Sequence, residues 1–361
     1  MSAFDVVIVG AGIAGATLAA EIAPSVRVAI LEGESVAAYH STGRSAAFWA
    51  ETYGGSGIQP LTSASHAMLQ AGGWLEPLGS LHVGRAGDEA AADAFLADFA
   101  ATGVTLDRVD PHAVIPGLRP GWDIGIWEPS CAYIDVAALH ADALARARRA
   151  GAVLMLDAAL AAATRAGGRW RLETGQGDIA CGTLVDAAGA WADRVAGIAG
   201  AAPLGIAPFR RTLIQLRTDP PAPSGMPHVS HVGGEFYFKP EAGGRLWLSP
   251  HDEIASDPCD AQPDEYDVAL AIDRFEHVVD WRVAQLERKW AGLRSFAPDR
   301  LPVYGHDPRT PGFFWFAGQG GFGIQTAPAA ALVAGALLLG RAPDRRVAHI
   351  DAARYAPERF G

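Results

Sequence analysis

Three glycines spaced as Gly10-x-Gly12-x-x-Gly15, followed further on by Glu32, form the strongest chemical signature in the chain. At that spacing the first glycine permits a tight strand-to-helix turn. The second lets the backbone approach a pyrophosphate, and the third lets helix and strand pack closely. A helix opening at such a turn offers free N–H groups and the positive end of its dipole to an anion. Glu32 is placed to accept hydrogen bonds from a ribose diol and would repel a 2′-phosphate, so NADP is disfavoured. The motif alone does not separate FAD from NAD.

Two further segments carry suitable residue types. Residues 39–47 (YHSTGRSAA) are rich in small and hydrogen-bonding side chains, as a loop threading beneath a flavin and its phosphates should be, although a polar surface loop has the same composition. Residues 318–323 (GQGGFG) precede Thr326, a candidate N-cap, and Pro328, which a first helical turn tolerates. A helix N-terminus presented there could stabilise negative charge on the pyrimidine edge of a reduced flavin.

The elements needed to position these groups are legible nearby. Residues 5–9 (DVVIV) read as a strand, an Ala-rich helix ends near Pro24, and residues 27–31 (RVAIL) form a second strand ending at Glu32. Asp135 is expected to cap a helix over residues 137–150, with Arg146, Arg148 and Arg149 in its last turns and Gly151 beyond them. A strand follows at 153–156, and residues 170–172 and 179–181 read as a hairpin leading to Leu184-Val185. Between about 205 and 300 the pattern turns to polar and aromatic strands, such as 235–239 and 245–248, with a Pro-, Asp- and Ser-rich loop at 249–264.

Composition narrows the function classes. A formal charge of −11 with no clustered Lys/Arg face disfavours nucleic acid. The longest apolar run, residues 327–339, is shorter than the roughly 20 residues a bilayer requires, and reads as a buried helix. The first residues lack the features of a signal peptide, so a cytoplasmic location is expected. Cys131, Cys181 and Cys259 form no C-x-x-C and are expected to be buried and reduced, and His228-x-x-His231 is too little for a metal site, so no metal is expected. No G-x-S-x-G elbow or His-x-Glu-x-x-His motif supports a hydrolase.

Taken in order, the glycine motif, residues 39–47, Asp135 with Leu139-His140, residues 187–191 (AAGAW), Arg210-Arg211, residues 236–240 (FYFKP), residues 290–296 (WAGLRSF) and residues 312–326 resemble the D-amino-acid oxidase superfamily of flavoproteins. Within it the chain is most similar to the bacterial D-arginine and D-amino-acid dehydrogenases. The resemblance spans nearly the whole chain. It implies an α/β fold in which a Rossmann-like, discontinuous FAD-binding domain (residues 1–50, 135–205 and 300–361) is joined to a β-rich, α+β substrate-binding domain (51–134 and 206–299). It implies noncovalent FAD held by Gly10, Gly12, Ile13, Ala14, Gly15 and Glu32, by His40, Ser41, Thr42, Gly43, Arg44, Ser45 and Ala46, and by Ala188, Gly189 and Trp191. From the C-terminal segment it adds Gly318, Gly320, Gly321, Gly323, Ile324 and Gln325.

Carried over by position, Arg211 and Arg294 would clamp a substrate carboxylate, Tyr53 and Tyr237 would supply hydroxyls, and the Gly321 carbonyl would accept from the substrate amine. Guanidinium suits the first task because its planar fork pairs bidentately with a carboxylate. The implied reaction is oxidative deamination of a D-amino acid by hydride transfer from the α-carbon to the flavin, with the electron acceptor, a quinone, a carrier or O2, left open. Secondary amines of the sarcosine type, 2-hydroxy acids, and a noncatalytic flavin sensor or scaffold remain alternatives.

The chain departs from the arginine-oxidising relatives in three places. Phe48 stands at their active-site histidine, Ala50 at a threonine, and residues 78–81 (LGSL) lack their guanidinium-binding glutamate. A cationic side chain would there lack a partner in a desolvated pocket, which disfavours arginine. His228 and Ser230 fall among pocket positions that are apolar in those relatives, and a solvated His228 is expected.

Overall fold

The computed structural model describes residues 2–223 and 225–361. The apolar N-terminal run becomes the strand Ser2–Val9 in the middle of an eight-stranded sheet. Its neighbours on either side, Ile179–Asp186 and Val28–Leu31, are both parallel to it, and Val153–Met155 continues in parallel beyond the latter. Val6 and Ile8 face a layer built by the helices Ile13–Ile22, Val136–Arg149 and Gly323–Leu339. Val7 and Val9 face the opposite layer with Val195, Leu184 and Trp315. Burial on both faces is why this strand reads as one apolar run rather than an alternating one.

Local signals hold where the physics is local. Asp135 accepts a hydrogen bond from Ala138 N–H at 2.9 Å and caps Val136–Arg149. The hairpin forms from Arg169–Thr174 and Ile179–Asp186, the second strand running on through Leu184 and Val185. Thr326 is not a cap: the last helix opens at Gly323, after Phe322, and the Thr326 hydroxyl bonds back to the Phe322 carbonyl at 2.9 Å within the first turn. Cys131 and Cys181 are buried, but Cys259 lies exposed in the Pro- and Asp-rich loop. No helix is long and apolar enough to cross a membrane among the described residues.

A second, ten-stranded sheet is organised around the long antiparallel pair Ala207–Asp219 and Arg282–Phe296. Arg245–Ser249, Tyr237–Glu241 and His228–His231 extend it outward. Ser80–Gly84 and Ile124–Glu128, from a segment with no clear strand signature, then add to its edge. The side-chain alternation of these strands separates two environments. Ile214, Leu216, Phe236, Phe238, Leu246 and Leu248 pack with Val268 and Phe275 of the helix Glu265–Val278, whereas Leu213 and Tyr237 face the other way, toward Phe48. At the opposite end, Gln319–Gly320 pairs with Ser295 and Phe296, so the loop before the last helix is hydrogen-bonded to the second sheet. The strand Phe48–Trp49 belongs to a small third sheet with Ala132–Ile134 and Leu75–Pro77.

Candidate functional site

A cavity of about 450 Å³ opens at the C-terminal edge of the parallel strands and reaches the face of the second sheet. Its first wall is the glycine turn. Gly10 has φ +104°, a backbone conformation glycine favours, and a Cβ there would sit 2.5 Å from the Ala187 carbonyl oxygen. Gly15 stands behind the wall rather than in it, and a Cβ at that position would lie 1.9 Å from the Gly10 carbonyl oxygen. The turn therefore closes only with bare backbone at both ends. His140 fixes it from behind through a 2.8 Å hydrogen bond to the Ala11 carbonyl. Gly12, Ile13 and Ala14 line the cavity where the helix begins, and the Thr42 hydroxyl accepts the Ile13 N–H at 3.0 Å.

Glu32 lines the same end. One of its oxygens accepts the Ala11 N–H at 2.9 Å and the other accepts the Glu34 N–H at 3.1 Å. Each carboxylate oxygen keeps a further lone pair for a ligand hydroxyl. Ala158, Ala159 and Leu160, not singled out in the sequence, complete this corner. The signal for them was positional: they follow the strand Val153–Met155, and ligands of open parallel sheets sit beyond the carboxyl ends of strands.

The 39–47 loop crosses to the second sheet and is fastened there. Ser41 donates to the Leu293 carbonyl at 2.6 Å, and Arg44 donates to the carbonyls of Ala261 at 2.9 Å and Ala291 at 3.2 Å and pairs with Asp260. His40 holds Glu34 at 2.9 Å and lies against Trp191, ring centroids 4.5 Å apart. His40, Ser41, Thr42, Arg44, Ser45 and Ala46 all line the cavity, as do Ala188, Gly189 and Trp191. Gly43 does not; its N–H closes the loop onto the Ala38 carbonyl at 2.9 Å. From the C-terminal segment Gly320, Gly321, Gly323, Ile324 and Gln325 line it, placing the N-terminus of Gly323–Leu339 in the wall, whereas Gly318 lies in the preceding turn. The Gln325 amide is engaged with the Tyr53 carbonyl at 2.8 Å and the Thr62 hydroxyl at 2.9 Å.

These features fit a dinucleotide cofactor. The turn admits no Cβ at Gly10 or Gly15, an acid sits at the ribose end, helix N-termini stand at two places, and the cavity is of ligand size.

At the far end the second sheet contributes charge. Arg211 pairs across the strands with Gly292, so its side chain shares a face with Arg294 two residues along, while Arg210 points to the other face and Asp267 at 2.7 Å. Arg211 is fully buried. Its Nε donates to the Asp252 carbonyl and one Nη to Glu253 at 3.1 Å, and its remaining Nη1 has no partner. The Arg294 guanidinium is thus free for the expected two-nitrogen fork, whereas Arg211 has its Nε and one Nη engaged and offers the two N–H bonds of its free Nη1. Burial, reinforced by the neighbouring Arg294 charge, lowers the Arg211 guanidinium to about 10. The Arg294 guanidinium carbon lies 5.7 Å from the Tyr53 ring centroid, and among the described residues Arg294 has no acceptor of its own. Gly321 adjoins both: a Cβ there would sit 2.5 Å from the Tyr53 hydroxyl and 3.2 Å from the guanidinium.

The Tyr53 and Tyr237 hydroxyls are buried without hydrogen-bond partners, Ser249 approaching Tyr237 without reaching bonding geometry. Tyr53 lines the cavity, whereas Tyr237 lies one layer deeper, its ring 5.7 Å from that of Phe48. His228 is buried rather than solvated, because its strand lies inside the second sheet; its ring packs 4.5 Å from Phe48.

A family model described as FAD dependent oxidoreductase, DAO, matches residues 5–337. Among curated proteins, the chain is 26% identical over 183 residues to hydrogen cyanide synthase subunit HcnC of Pseudomonas aeruginosa, covering 50% of this chain and 42% of that protein. It is 29% identical over 163 residues to glycine oxidase of Geobacillus kaustophilus, covering 45% and 42%. The matches thus span less than half the length of these curated relatives. The crystal structure of that glycine oxidase superposes with a TM-score of 0.82 at 23% identity, covering 95% of this chain and 97% of that one. L-proline dehydrogenase from P. horikoshii superposes at 0.86 with 20% identity over 99% and 98%. With its glycine turn, acid and cavity in place, the chain belongs to the DAO family of FAD-dependent oxidoreductases.

Proposed function

We propose that the protein oxidises the amine of an α-amino acid, a D-amino acid other than arginine, to an imino acid that water converts to the 2-oxo acid and ammonia. The observation that carries this reading is the cluster of unpaired polar groups at one end of the cavity and in the layer directly behind its wall. Arg211 Nη1 and the Tyr53 and Tyr237 hydroxyls are buried without partners, beside an Arg294 guanidinium with no acceptor. A buried unsatisfied donor costs roughly 1–3 kcal/mol, so a site that keeps several is built for a polar ligand.

In this reading the Arg294 fork and the free Arg211 Nη1 hold the substrate carboxylate, the tyrosine hydroxyls complete its hydrogen bonds, and the Gly321 carbonyl accepts an amine N–H. FAD, when bound, supplies the acceptor for the hydride leaving the α-carbon. Phe48 can neither donate nor accept a proton, so no side chain there acts as a base. The reaction then starts from the neutral amine, whose lone pair becomes the C=N bond as the hydride departs. The names of the relatives favour amine chemistry, glycine oxidase and L-proline dehydrogenase both acting on amino acids by name, and leave stereochemistry to experiment.

The test is the flavin band of the purified protein under anaerobic addition of D- and L-amino acids, sarcosine and 2-hydroxy acids. Bleaching by D-amino acids is the expected result. Bleaching by L-amino acids alone would reverse the stereochemical part, and bleaching by sarcosine or hydroxy acids alone would replace the substrate class.

A further inference from the structure

Beyond Phe48 and Tyr53, which line both, the large cavity adjoins a smaller one of about 160 Å³. Its wall is the part of the second sheet where His228–His231 runs parallel to Ser80–Gly84. The register sets His228 against Ser80 and Ser230 against His82, and positions two apart share a face, so the four side chains form one polar patch. Ser80 Oγ lies 2.9 Å from His228 Nδ1, and Ser230 Oγ lies 2.8 Å from His82 Nδ1. His82 Nε2 donates to Glu128 at 3.2 Å.

Glu128 is completely buried, and its oxygens are already engaged. They accept the Glu51 N–H at 2.7 Å, the Thr52 N–H at 3.3 Å and the Thr52 hydroxyl at 2.6 Å, besides His82. Burial opposes its ionisation, but the hydrogen bond and charge of His82 and the bonds from Thr52 outweigh that and hold its carboxyl below the ordinary value. It offers nothing to a cationic ligand. At the far end His231 holds Asp88 at 3.0 Å, with its other nitrogen 4.0 Å from Glu235.

His228 is different. It is 3% exposed, its ring packs against Phe48 at the junction of the two cavities, and its Nε2 has no partner. We assign the tautomer in which the Ser80 hydroxyl donates to Nδ1, which gives that hydroxyl an acceptor and puts the hydrogen on Nε2. Burial, with the charges of His82 and Lys239 nearby, drives the imidazole well below its ordinary value and keeps it neutral. At the junction with the large cavity His228 thus presents a neutral imidazole with an unpaired Nε2; the other buried, unpaired groups of this wall are the Tyr53 hydroxyl, at the same junction, and His231 Nδ1, at the far end.

Resting on the amino-acid reading above, we propose that the smaller cavity receives the substrate side chain and selects a short, uncharged one ending in an oxygen acceptor, a carboxamide in particular, through the Nε2–H of His228. An apolar side chain of the same shape would leave that donor unpaired, a defect that sites built for a hydrogen bond reject strongly.

The test uses the FAD-loaded protein and two carboxylates that lack the amine and cannot be oxidised: succinamate, with the skeleton of asparagine, and 4-methylpentanoate, with that of leucine. Their dissociation constants are read from the perturbation of the flavin band. Succinamate is expected to bind roughly tenfold to a hundredfold more tightly. His228→Leu should invert the ratio, and His228→Gln, whose amide nitrogen can stand in for Nε2, should restore the preference for succinamate. If His228→Leu yields no folded protein, the wild-type ratio and the Gln variant decide. In parallel, alanine, leucine and asparagine of both hands are tested for anaerobic flavin reduction. Reduction by alanine or leucine with no preference for succinamate, or a ratio unmoved by His228→Leu, overturns this inference and leaves the amino-acid reading standing. Failure of every amino acid to reduce the flavin overturns both.

Discussion

The two ends of the large cavity handle their polar groups in opposite ways. At the dinucleotide end nearly everything is bonded within the protein: Glu32 to two backbone N–H groups, Thr42 to Ile13, Ser41 to Leu293, Arg44 to Asp260 and two carbonyls, Gln325 to Tyr53 and Thr62. At the sheet end Arg211 Nη1, the Tyr53 and Tyr237 hydroxyls and His228 Nε2 are buried and unpaired. The first arrangement recognises its ligand by backbone shape and the spare lone pairs of groups already fixed in place. The second spends stability to keep donors ready for a ligand that comes and goes, the usual direction of a stability–function trade.

The largest effect should come from breaking the first end. Gly15→Ala forces a methyl group toward the Gly10 carbonyl oxygen, 1.9 Å from the ideal Cβ position, and is expected to abolish flavin retention altogether. The purified variant should be colourless with near-native circular dichroism, and a yellow preparation with wild-type flavin content would refute the rigid-turn account.

Next in size is Arg294→Met, which removes a guanidinium that has no acceptor of its own among the described residues. It should lower kcat/KM by about 3–4 kcal/mol, roughly a hundred- to a thousandfold, while flavin content stays near wild type. A change of less than threefold would remove Arg294 from its assigned role.

Tyr53→Phe probes the contrast most directly, since it deletes an unpaired buried hydroxyl. Urea denaturation without substrate should show unchanged stability or a gain of up to about 1 kcal/mol, whereas kcat/KM should fall about tenfold. A clear loss of stability would mean the hydroxyl is satisfied within the fold.

The smallest effect concerns pH. The buried His228 imidazole is held well below its ordinary value by desolvation, so below about 6.5 the unfolded chain takes up a proton that the folded protein refuses. Its influence is therefore neutral above pH 6.5 and destabilising as pH falls below it, by at most about 1.4 kcal/mol per pH unit. His228→Gln should flatten the stability profile between pH 6.5 and 5.5 by about that slope. An unchanged slope would place the titration elsewhere.

How much of this could be read beforehand depended on the distance over which each feature is determined. The strand, turn, helix, strand and acid of residues 5–32 were legible because each signal concerns neighbouring residues. So was the Asp135 cap, which concerns a residue three positions on. Thr326 had the right residue type, but the pairing of Gln319–Gly320 with the second sheet starts the helix earlier, at Gly323. The strands Ser80–Gly84 and Ile124–Glu128 showed no clear signature, since they gain stability by adding to a strand, His228–His231, laid down about a hundred residues or more later. His228 looked like a surface histidine for the same reason: its burial comes from those added strands.

By itself, then, the sequence determined the cofactor turn, because the need for bare backbone at Gly10 and Gly15 is a local steric condition that only residue type can meet. It also specified which permanently charged and hydroxyl-bearing residues were available. Only the tertiary structure decided which of them would be left with a free hydrogen bond. Arg211 and Arg294 become neighbours through strand pairing across 83 residues of sequence, Arg210 is consumed by Asp267, and Glu128 is consumed by Thr52 and His82. An unpaired group is defined by every partner it lacks, and those partners are assembled from the whole chain.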